Sequence, residues 1–584
     1  MANPALLQTI VDDLDPISWQ ARCIDLLNTA SDFTWKNGLV DDKGQALPGL
    51  TARTWGITIG VCNEYCSMAQ IPYPKDFNFQ TFSASMTNYF LPWVALTAQL
   101  PFETGDPGSN VMAFCLAVGS PALITYSLTL TILNRFWVRK TFDALHAKAQ
   151  GLTIAAHYGA YAARIRATQY LLSEAQQVPL RATQDEGWLS SLVVVPENTE
   201  WWDHLQRRLR STRRGFTASL GAQILVAVLA YLFTVISSFL AALGDPATAL
   251  QIASGSLWIW LIPVILGWIT VGTQYSHHSI SDALVAERGH RALENPIQVP
   301  GQATVFTAHE EQHALEVRSG LTPAVDRTLL AATGTFRAPE AARLQVPTWL
   351  GARVEGDEAQ RGPAFNYARP LTWWQLASTL DLALFQTLEN VKDGRVCANF
   401  PHPTAGNPWD DRAGARNLLG SSLDTAQYCG LETRVVKAYP KWSELPSGVY
   451  RRLFAAAVLA LFLQWGTTGA SIMIAYQTPT VGFGCRSASY TLYGVLGTAV
   501  WLLLLASMLL SHAVMLRYQA VHERRPTVDF RIRNEPTNPD QYTRTLGLAV
   551  LCGLAVSTRY IGKALAFINT NVLVLSSVLE FIGL

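Results

Sequence analysis

The sequence predicts an all-α integral membrane protein, a bundle of about six or seven transmembrane helices with a large, partly irregular cytoplasmic loop. Charged residues make up 15% of the 584-residue chain, against about 25% in soluble proteins. Five long stretches contain no Asp, Glu, Lys or Arg, namely residues 111–133, 216–244, 252–275, 453–476 and 489–516. A helix of about 20 apolar residues crosses a bilayer and satisfies its own backbone hydrogen bonds there.

Two further segments are apolar but interrupted. Residues 81–101 contain a short apolar run with Pro92 inside it, which predicts a re-entrant or interfacial segment, with a weak span as the alternative. Residues 546–584 are interrupted by Arg559, Lys563 and Glu580, and they fit either one tilted span or a helical hairpin. The chain stops within this apolar stretch, as a truncated last span would.

Basic residues next to the spans predict which loops are cytoplasmic. They cluster at both ends of residues 134–215, which we expect to be a helical cytoplasmic loop, and the same rule places 276–452 and 517–545 inside. Residues 1–80 would then be extracytoplasmic if 81–101 does not cross. Asp12, Asp13 and Asp15 argue against a cleavable signal peptide. The predicted location is the plasma membrane or an endomembrane.

Three cysteines would share the outer side in this arrangement. Cys62 and Cys66 lie in the sequence CNEYC, and Cys485 lies in the short connection between two spans. An oxidising compartment would allow one disulfide among these three cysteines, and three unpaired thiols are the alternative.

The long loop 276–452 is rich in Gly, Pro and Ala, so much of it is expected to be irregular. Its best helix is predicted at residues 372–390, where apolar side chains recur at i, i+3 and i+4. This helix would either lie along the membrane surface or pack on its own domain.

One motif in this loop is typical of a metal site. His309, Glu310 and His313 form an H-E-x-x-H pattern, whose histidines share a helix face and can bind Zn²⁺. In a multi-pass protein it resembles the membrane zinc proteases that process prenylated proteins. Polar residues at 311 and 312 and the lack of a third carboxylate ligand disfavour this reading. We therefore predict no metal, no cofactor and no catalytic residue.

Transport is a second hypothesis, because ionisable residues inside a membrane usually mark function. His512 is the only histidine in the five charge-free spans, which also contain no carboxylate. A proton-coupled or cation-coupled carrier usually needs carboxylates at mid-depth. Arg559 and Lys563 would either face an anion path or extend to the membrane surface. A water-lined cavity beside either residue would favour transport, whereas a solid bundle would disfavour it.

Small residues in two spans predict close helix packing. Glycine and alanine let two helix backbones approach each other in a membrane. The candidate positions are Gly466, Gly469, Ala470 and Gly494.

The segments WGTTGAS (465–471), TPTVGFGCRSASY (478–490) and FQTFSASMTNYFLPWVALTAQLPF (79–102) resemble a family of uncharacterised multi-pass membrane proteins of filamentous fungi. The resemblance implies a membrane location and a fungal source, but no activity. Since the formal net charge is +1, nucleic acid is not an expected partner. The expected partners are the lipid bilayer and proteins that contact the cytoplasmic loops. A structural, sensing or partner-binding role is therefore predicted ahead of transport, and both ahead of zinc proteolysis.

Overall fold

The fold comes from a computed structural model, and it is mostly helical, which confirms the all-α prediction. The structure describes residues 38–41, 45–48, 56–65, 91–100, 104, 106–150, 155–182, 188–195, 198–213, 215, 217–240, 252–271, 280, 283–284, 336–337, 354–393, 395, 422–431, 438–477, 483–523 and 539–582.

The described residues form fourteen α-helices and two small antiparallel sheets. The helices are α1 Ile59–Tyr65, α2 Leu91–Thr97, α3 Pro107–Gly119, α4 Pro121–Ala149, α5 Ala155–Glu174, α6 Trp188–Val194, α7 Asn198–Ser211, α8 Ala218–Leu240, α9 Leu261–Val271, α10 Pro370–Lys392, α11 Ser422–Tyr428, α12 Ser447–Gln477, α13 Cys485–Glu523 and α14 Pro539–Ile582. The strands are β1 Leu39–Val40, β2 Ala46–Leu47, β3 Gly56–Ile57, β4 Arg181–Ala182 and β5 Phe336–Arg337, paired in the orders β2-β1-β3 and β4-β5.

Four described helical stretches are long and apolar enough to cross a membrane: Ile252–Val271, Ser447–Gln477, Arg486–Ala520 and Leu546–Val574. They coincide with the predicted spans at 252–275, 453–476, 489–516 and 546–584. The last lies within α14, which is one continuous helix, so the hairpin alternative is wrong for the residues described. The apolar part of α8, Ala218–Phe233, is shorter than these four stretches.

The predicted span 111–133 is not one straight helix. The chain turns by 100° between α3 and α4, because Ser120 leaves helical geometry (φ −147°, ψ 86°) and Pro121 begins the next helix. Proline suits this first helical position because its missing N–H would have had no partner there. The Ser120 hydroxyl caps α4 by accepting a hydrogen bond from the Leu123 amide. The pair is therefore a broken span or a re-entrant loop.

Both arms of this bent pair contact the same segment. The hydroxyl of Ser109, near the start of α3, lies 3.4 Å from Gln360 Oε1. Thr131 on α4 accepts a 2.9 Å hydrogen bond from Asn366 Nδ2. A straight helix would hold residues 109 and 131 about 33 Å apart, whereas their partners are close neighbours in sequence. These contacts favour the re-entrant arrangement.

Side chains from three other helices satisfy the backbone groups at the break. Such groups need partners because an unpaired N–H or C=O in a membrane interior costs several kcal/mol. Tyr493 donates to the Val118 carbonyl (2.8 Å), Asn569 donates to the Gly119 carbonyl (2.7 Å), and Gln464 Oε1 accepts from the Ala122 amide (2.8 Å). Helices α12, α13 and α14 thus hold the bend in place.

Close packing at small residues occurs at this break and not at the predicted position on α12. A Cβ at Gly119 would overlap the backbone of Ala566, so α3 and α14 meet at van der Waals distance. Gly466 and Gly469 have nothing within 4 Å of a Cβ position, and Ala470 is exposed. Gly494 does pack, because its Cβ position lies 3.1 Å from Thr468 and Trp465 on α12.

The second half of α4 joins a compact helical body with α5, α6, α7 and α10. Helix α10 extends the predicted helix at 372–390 by two residues at each end and is largely buried. The indole of Trp373 donates to the Leu172 carbonyl at 3.0 Å. Arg164, 1% exposed, donates to the carbonyls of Val193 and Val195 and so caps the end of α6. The packed alternative for this helix is therefore confirmed.

The uncertain segment 81–101 contains the short helix α2. Its seven residues extend about 10 Å, too little to cross a bilayer. Trp93, Leu96 and Leu100 are buried, and the helix packs against α8 and α9. Residues 81–90 lie outside the described part of the chain, so a re-entrant or interfacial location stays a prediction.

Candidate functional site

Two cations lie on one face of α14 near the middle of the apolar stretch Leu546–Val574. Arg559 and Lys563 are four residues apart, so their side chains project from the same side of the helix. Arg559 is 5% exposed, and the Lys563 side chain is 18% exposed. Both point into the protein. The alternative that they extend to the membrane surface is therefore wrong.

The partners of these cations come from a distant part of the chain. Residues 354–369, here called the inserted segment, contain two 3₁₀ turns, Gly356–Ala359 and Pro363–Ala368. The segment packs against α3, α4 and α13, and Arg559 and Lys563 of α14 contact it. The segment carries three buried carboxylates, those of Glu355, Asp357 and Glu358. Together with three cations, Arg369, Arg559 and Lys563, they form a group that is here called the charged cluster. The cluster is neutral when all six groups are charged.

Arg559 fixes the start of the inserted segment. Its guanidinium donates to the Val354 carbonyl at 2.8 Å and to the Ser511 hydroxyl of α13 at 3.2 Å. Gly356 makes this approach possible, because its φ of +54° is a conformation that glycine adopts without strain. A Cβ at this position would overlap the guanidinium. The segment therefore needs glycine here for two independent reasons.

Lys563 and Asp357 form the central ion pair. The Nζ–Oδ1 distance is 2.5 Å, and Lys563 also lies 5.7 Å from the centre of the Phe365 ring. The other carboxylate oxygen of Asp357 accepts a short hydrogen bond from the Tyr367 hydroxyl. Burial, and then the neighbouring Asp357 charge, raise the pKa of Tyr367. Tyr367 therefore stays protonated and acts as a donor to the carboxylate.

Arg369 closes the inserted segment at its other end. Its guanidinium donates to the carbonyls of Gln176 and Gly362, both at 3.0 Å, and to Asn366 Oδ1 at 2.9 Å. Burial lowers the pKa of Arg369 to about 10, although the charge on Glu358 opposes this effect. The side chain therefore remains positive at neutral pH. It ties the segment to the helical body through Gln176.

Two small cavities lie beside the cluster, each about large enough for one water molecule. One is bordered by Arg559, Tyr367 and the three carboxylates, and by Ser507 and Ser511 of α13. The other lies between Arg369, α10 and residues 178–180. The two cavities therefore share Glu358 in their walls.

The site combines groups that can exchange protons with groups that can hold an anion. The three carboxylates can each bind one proton, and the three cations can attract a negatively charged solute. The backbone of the inserted segment is irregular, which is tolerated at membrane depth only where protein or a water-filled cavity surrounds it. Here α3, α4 and α13 pack against it, and side chains of α14 contact it.

The metal and disulfide residues predicted from the sequence lie mostly outside what the structure describes. His309, Glu310 and His313 lie outside the described residues, as does Cys66. Cys62 is in α1 and Cys485 is in α13, but their side chains lie outside the description, so the disulfide stays a prediction. Within the described ranges, no group of three His, Cys, Asp or Glu side chains could hold a metal.

Sequence reasoning missed the carboxylates because it treated 276–452 only as a cytoplasmic loop. One signal was available: Arg559 and Lys563 lie one turn apart in an apolar helix, and such cations need nearby anions. The run Glu355-Gly-Asp-Glu358 supplies three acids in four residues.

Comparison of the chain with models of known protein families, with curated proteins and with solved structures finds no match. The resemblance to fungal membrane proteins thus stays a prediction. The function must be argued from the cluster itself.

Proposed function

We propose that the protein carries protons across a membrane and that the inserted segment is the moving gate. The proposal places the candidate spans in a plasma membrane or endomembrane, and it puts loops 134–215 and 276–452, apart from the inserted segment, on the cytoplasmic side. The observation that supports it is the ion pair between Asp357 and Lys563 near the middle of a candidate span. The sequence argument against a carrier was the lack of carboxylates at this depth, and the inserted segment supplies three.

A purely structural role explains the cluster less well. Replacing a buried ion pair by apolar residues of similar size is often neutral or stabilising, so such a pair is weak evidence for a role in stability. Ionisable residues inside a membrane more often mark a substrate or proton path. Hydrogen bonds from Arg369 and Arg559 to the carbonyls of Gln176 and Val354 connect the inserted segment to its neighbours, and Phe365 and Tyr367 are buried in the core. Water can replace these bonds when the segment moves.

Asp357 is the proposed proton carrier. A proton from one side binds its carboxylate and cancels the negative charge that faces Lys563, which weakens the attraction holding the segment against α14. The segment then moves away, a path past Glu358 opens, and the proton leaves to the other side as the carboxylate reforms. Lys563 is the fixed counter-charge, and Tyr367 orients the carboxylate through its hydroxyl.

Proton flux in liposomes tests this function. The full chain would be reconstituted with a pH-sensitive dye inside, and a pH step would be applied outside. We expect the wild type to change internal pH at least tenfold faster than empty liposomes, and Asp357→Asn to abolish the difference while Asp357→Glu retains part of it. Elution of each variant as a single size-exclusion peak controls for folding. Wild-type liposomes no faster than empty ones, or an unaffected Asp357→Asn, would contradict the proposal.

Cross-linking tests the gate separately. Cysteines replacing Ser109 and Gln360, whose side chains are 3.4 Å apart, would be joined by a short bifunctional thiol reagent that a reducing agent can cleave. We expect flux to stop on cross-linking and to return on reduction, while each single-cysteine variant is unaffected. Full flux in the cross-linked protein would show that the segment does not need to move.

A structural or partner-binding role remains the second candidate, because each cavity holds only about one water molecule. In that case the cluster attaches the helical body to the apolar helices. Asp357→Asn would then lower stability, and neither the wild type nor the variant would conduct protons.

A further inference from the structure

Two arginines converge on the end of α9, away from the charged cluster. Arg135 of α4 donates through one nitrogen to the carbonyls of Thr270 and Val271. Arg213, which follows α7, donates to the same two carbonyls at 3.3 Å each. Because both groups reach the same oxygens, the donating nitrogen atoms are less than about 7 Å apart.

Each guanidinium has further donors. A guanidinium carries five N–H groups, and the bonds to α9 use one nitrogen of each side chain. Both side chains are part-exposed, and Arg213 also contacts the Tyr170 hydroxyl, so the N–H groups that these contacts do not use can reach a ligand. Arginine pairs with its donors in this fork geometry are well suited to the oxygens of a phosphate group.

The charges around this arginine pair are mostly positive. Arg210 lies 5.6 Å from the centre of the Tyr170 ring beside it, and the exposed Arg207 and Arg208 continue the basic surface. Glu174, the acidic group facing Arg135 and Tyr170, is buried. Arg139 is offset by Asp143 at 3.7 Å. A net positive charge is left at the surface.

We propose that Arg135 and Arg213 bind the phosphate of an anionic lipid headgroup. The carbonyls that position them belong to the last residues of the candidate span Ile252–Val271, so the pair lies where an apolar helix reaches the membrane boundary. Basic pockets between helices at this boundary recognise anionic headgroups. The basic residues that predicted the cytoplasmic side thus form a defined site.

A thermal-unfolding titration tests the site. Purified full-length protein in neutral detergent would be titrated with water-soluble short-chain phosphatidic acid, phosphatidylcholine or inorganic phosphate. We expect phosphatidic acid alone to raise the melting temperature. Arg135→Gln/Arg213→Gln should weaken its apparent affinity by about 30-fold, from about 1 kcal/mol for each basic residue at the surface. Arg451→Gln/Arg486→Gln removes the same charge from two exposed positions and should change affinity less than twofold.

The outcomes separate lipid binding from helix capping. If the arginines only cap α9, the double variant will melt at a lower temperature but bind phosphatidic acid as the wild type does, and the proposal fails. Arg135→Lys/Arg213→Lys, which keeps the charge, should retain binding within about tenfold even if the glutamine variant does not fold. Equal stabilisation by inorganic phosphate would assign the site to a soluble anion and overturn the lipid assignment.

Discussion

Gly356→Ala is the sharpest test of the inserted segment, because it adds one methyl group where the structure leaves no room. Residue 356 has a φ of +54°, which costs an alanine about 1–2 kcal/mol. The new Cβ would also overlap the Arg559 guanidinium and displace it from Val354 and Ser511. Each hydrogen bond to a charged group contributes about 1.5–3 kcal/mol. The variant should therefore be less stable by at least about 4 kcal/mol.

The assay is equilibrium unfolding in mixed micelles, followed by the fluorescence of the tryptophans, 18 in the chain. Gly466→Ala is the matched control, because it makes the same chemical change in the interior of α12 with nothing within 4 Å of the new Cβ. Alanine should stabilise that helix by about 0.5–1 kcal/mol. The two substitutions are thus expected to have opposite signs.

A second background identifies the cause. In Arg559→Leu protein the obstructing guanidinium is gone, so Gly356→Ala should cost only the backbone strain of about 1–2 kcal/mol. The difference between the two backgrounds is the coupling between residues 356 and 559. An equal cost in both backgrounds, or a cost below about 1 kcal/mol in the wild type, would refute the contact.

Two further substitutions test the ion pair and the helix break. Lys563→Met leaves the buried Asp357 carboxylate without its cation and should lower the free energy of unfolding by about 3 kcal/mol, the lower end of the usual range because Tyr367 still donates to the carboxylate. Adding Asp357→Asn should restore most of the lost stability in the same unfolding assay, and additive losses would contradict direct pairing. Gln464→Leu removes the acceptor for the Ala122 amide and should cost about 2–3 kcal/mol, while hydrogen exchange at that amide should become faster; unchanged exchange would mean that another group satisfies it.

The helices themselves were predictable because their signals are local. Charge-free stretches predict α12 and α13, the interrupted apolar stretch 546–584 predicts much of α14, and the i, i+3, i+4 pattern predicts α10 within two residues at each end. The 100° turn at Ser120 was missed, although Gly119, Ser120 and Pro121 are typical of a helix end and start. Hydropathy reports only that 111–133 is apolar. The turn is held by Gln464, Tyr493 and Asn569, which are far away in sequence.

The candidate site was not predictable from hydropathy, because its charges are divided between two kinds of sequence. Arg559 and Lys563 lie in an apolar helix, where hydropathy indicates only that the span is interrupted. Asp357 lies in a Gly-rich polar stretch, which its composition predicts to be a solvated loop. Each half has an ordinary explanation alone. Asp357 and Lys563 are 206 positions apart in the chain, and only their contact in the folded protein shows that the two charges form a pair.

This division is also what makes the cluster a reasonable gate. A charge carried by a membrane helix stays at a fixed depth, whereas a charge carried by a short irregular segment can be withdrawn with that segment. In the proposed closed state the three carboxylates of the inserted segment neutralise the three cations, so the gate carries no net charge. When one carboxylate is protonated, the cations are in excess, and an anion entering past Glu358 would restore neutrality. The same residues can therefore hold the gate shut and favour an anion when it opens.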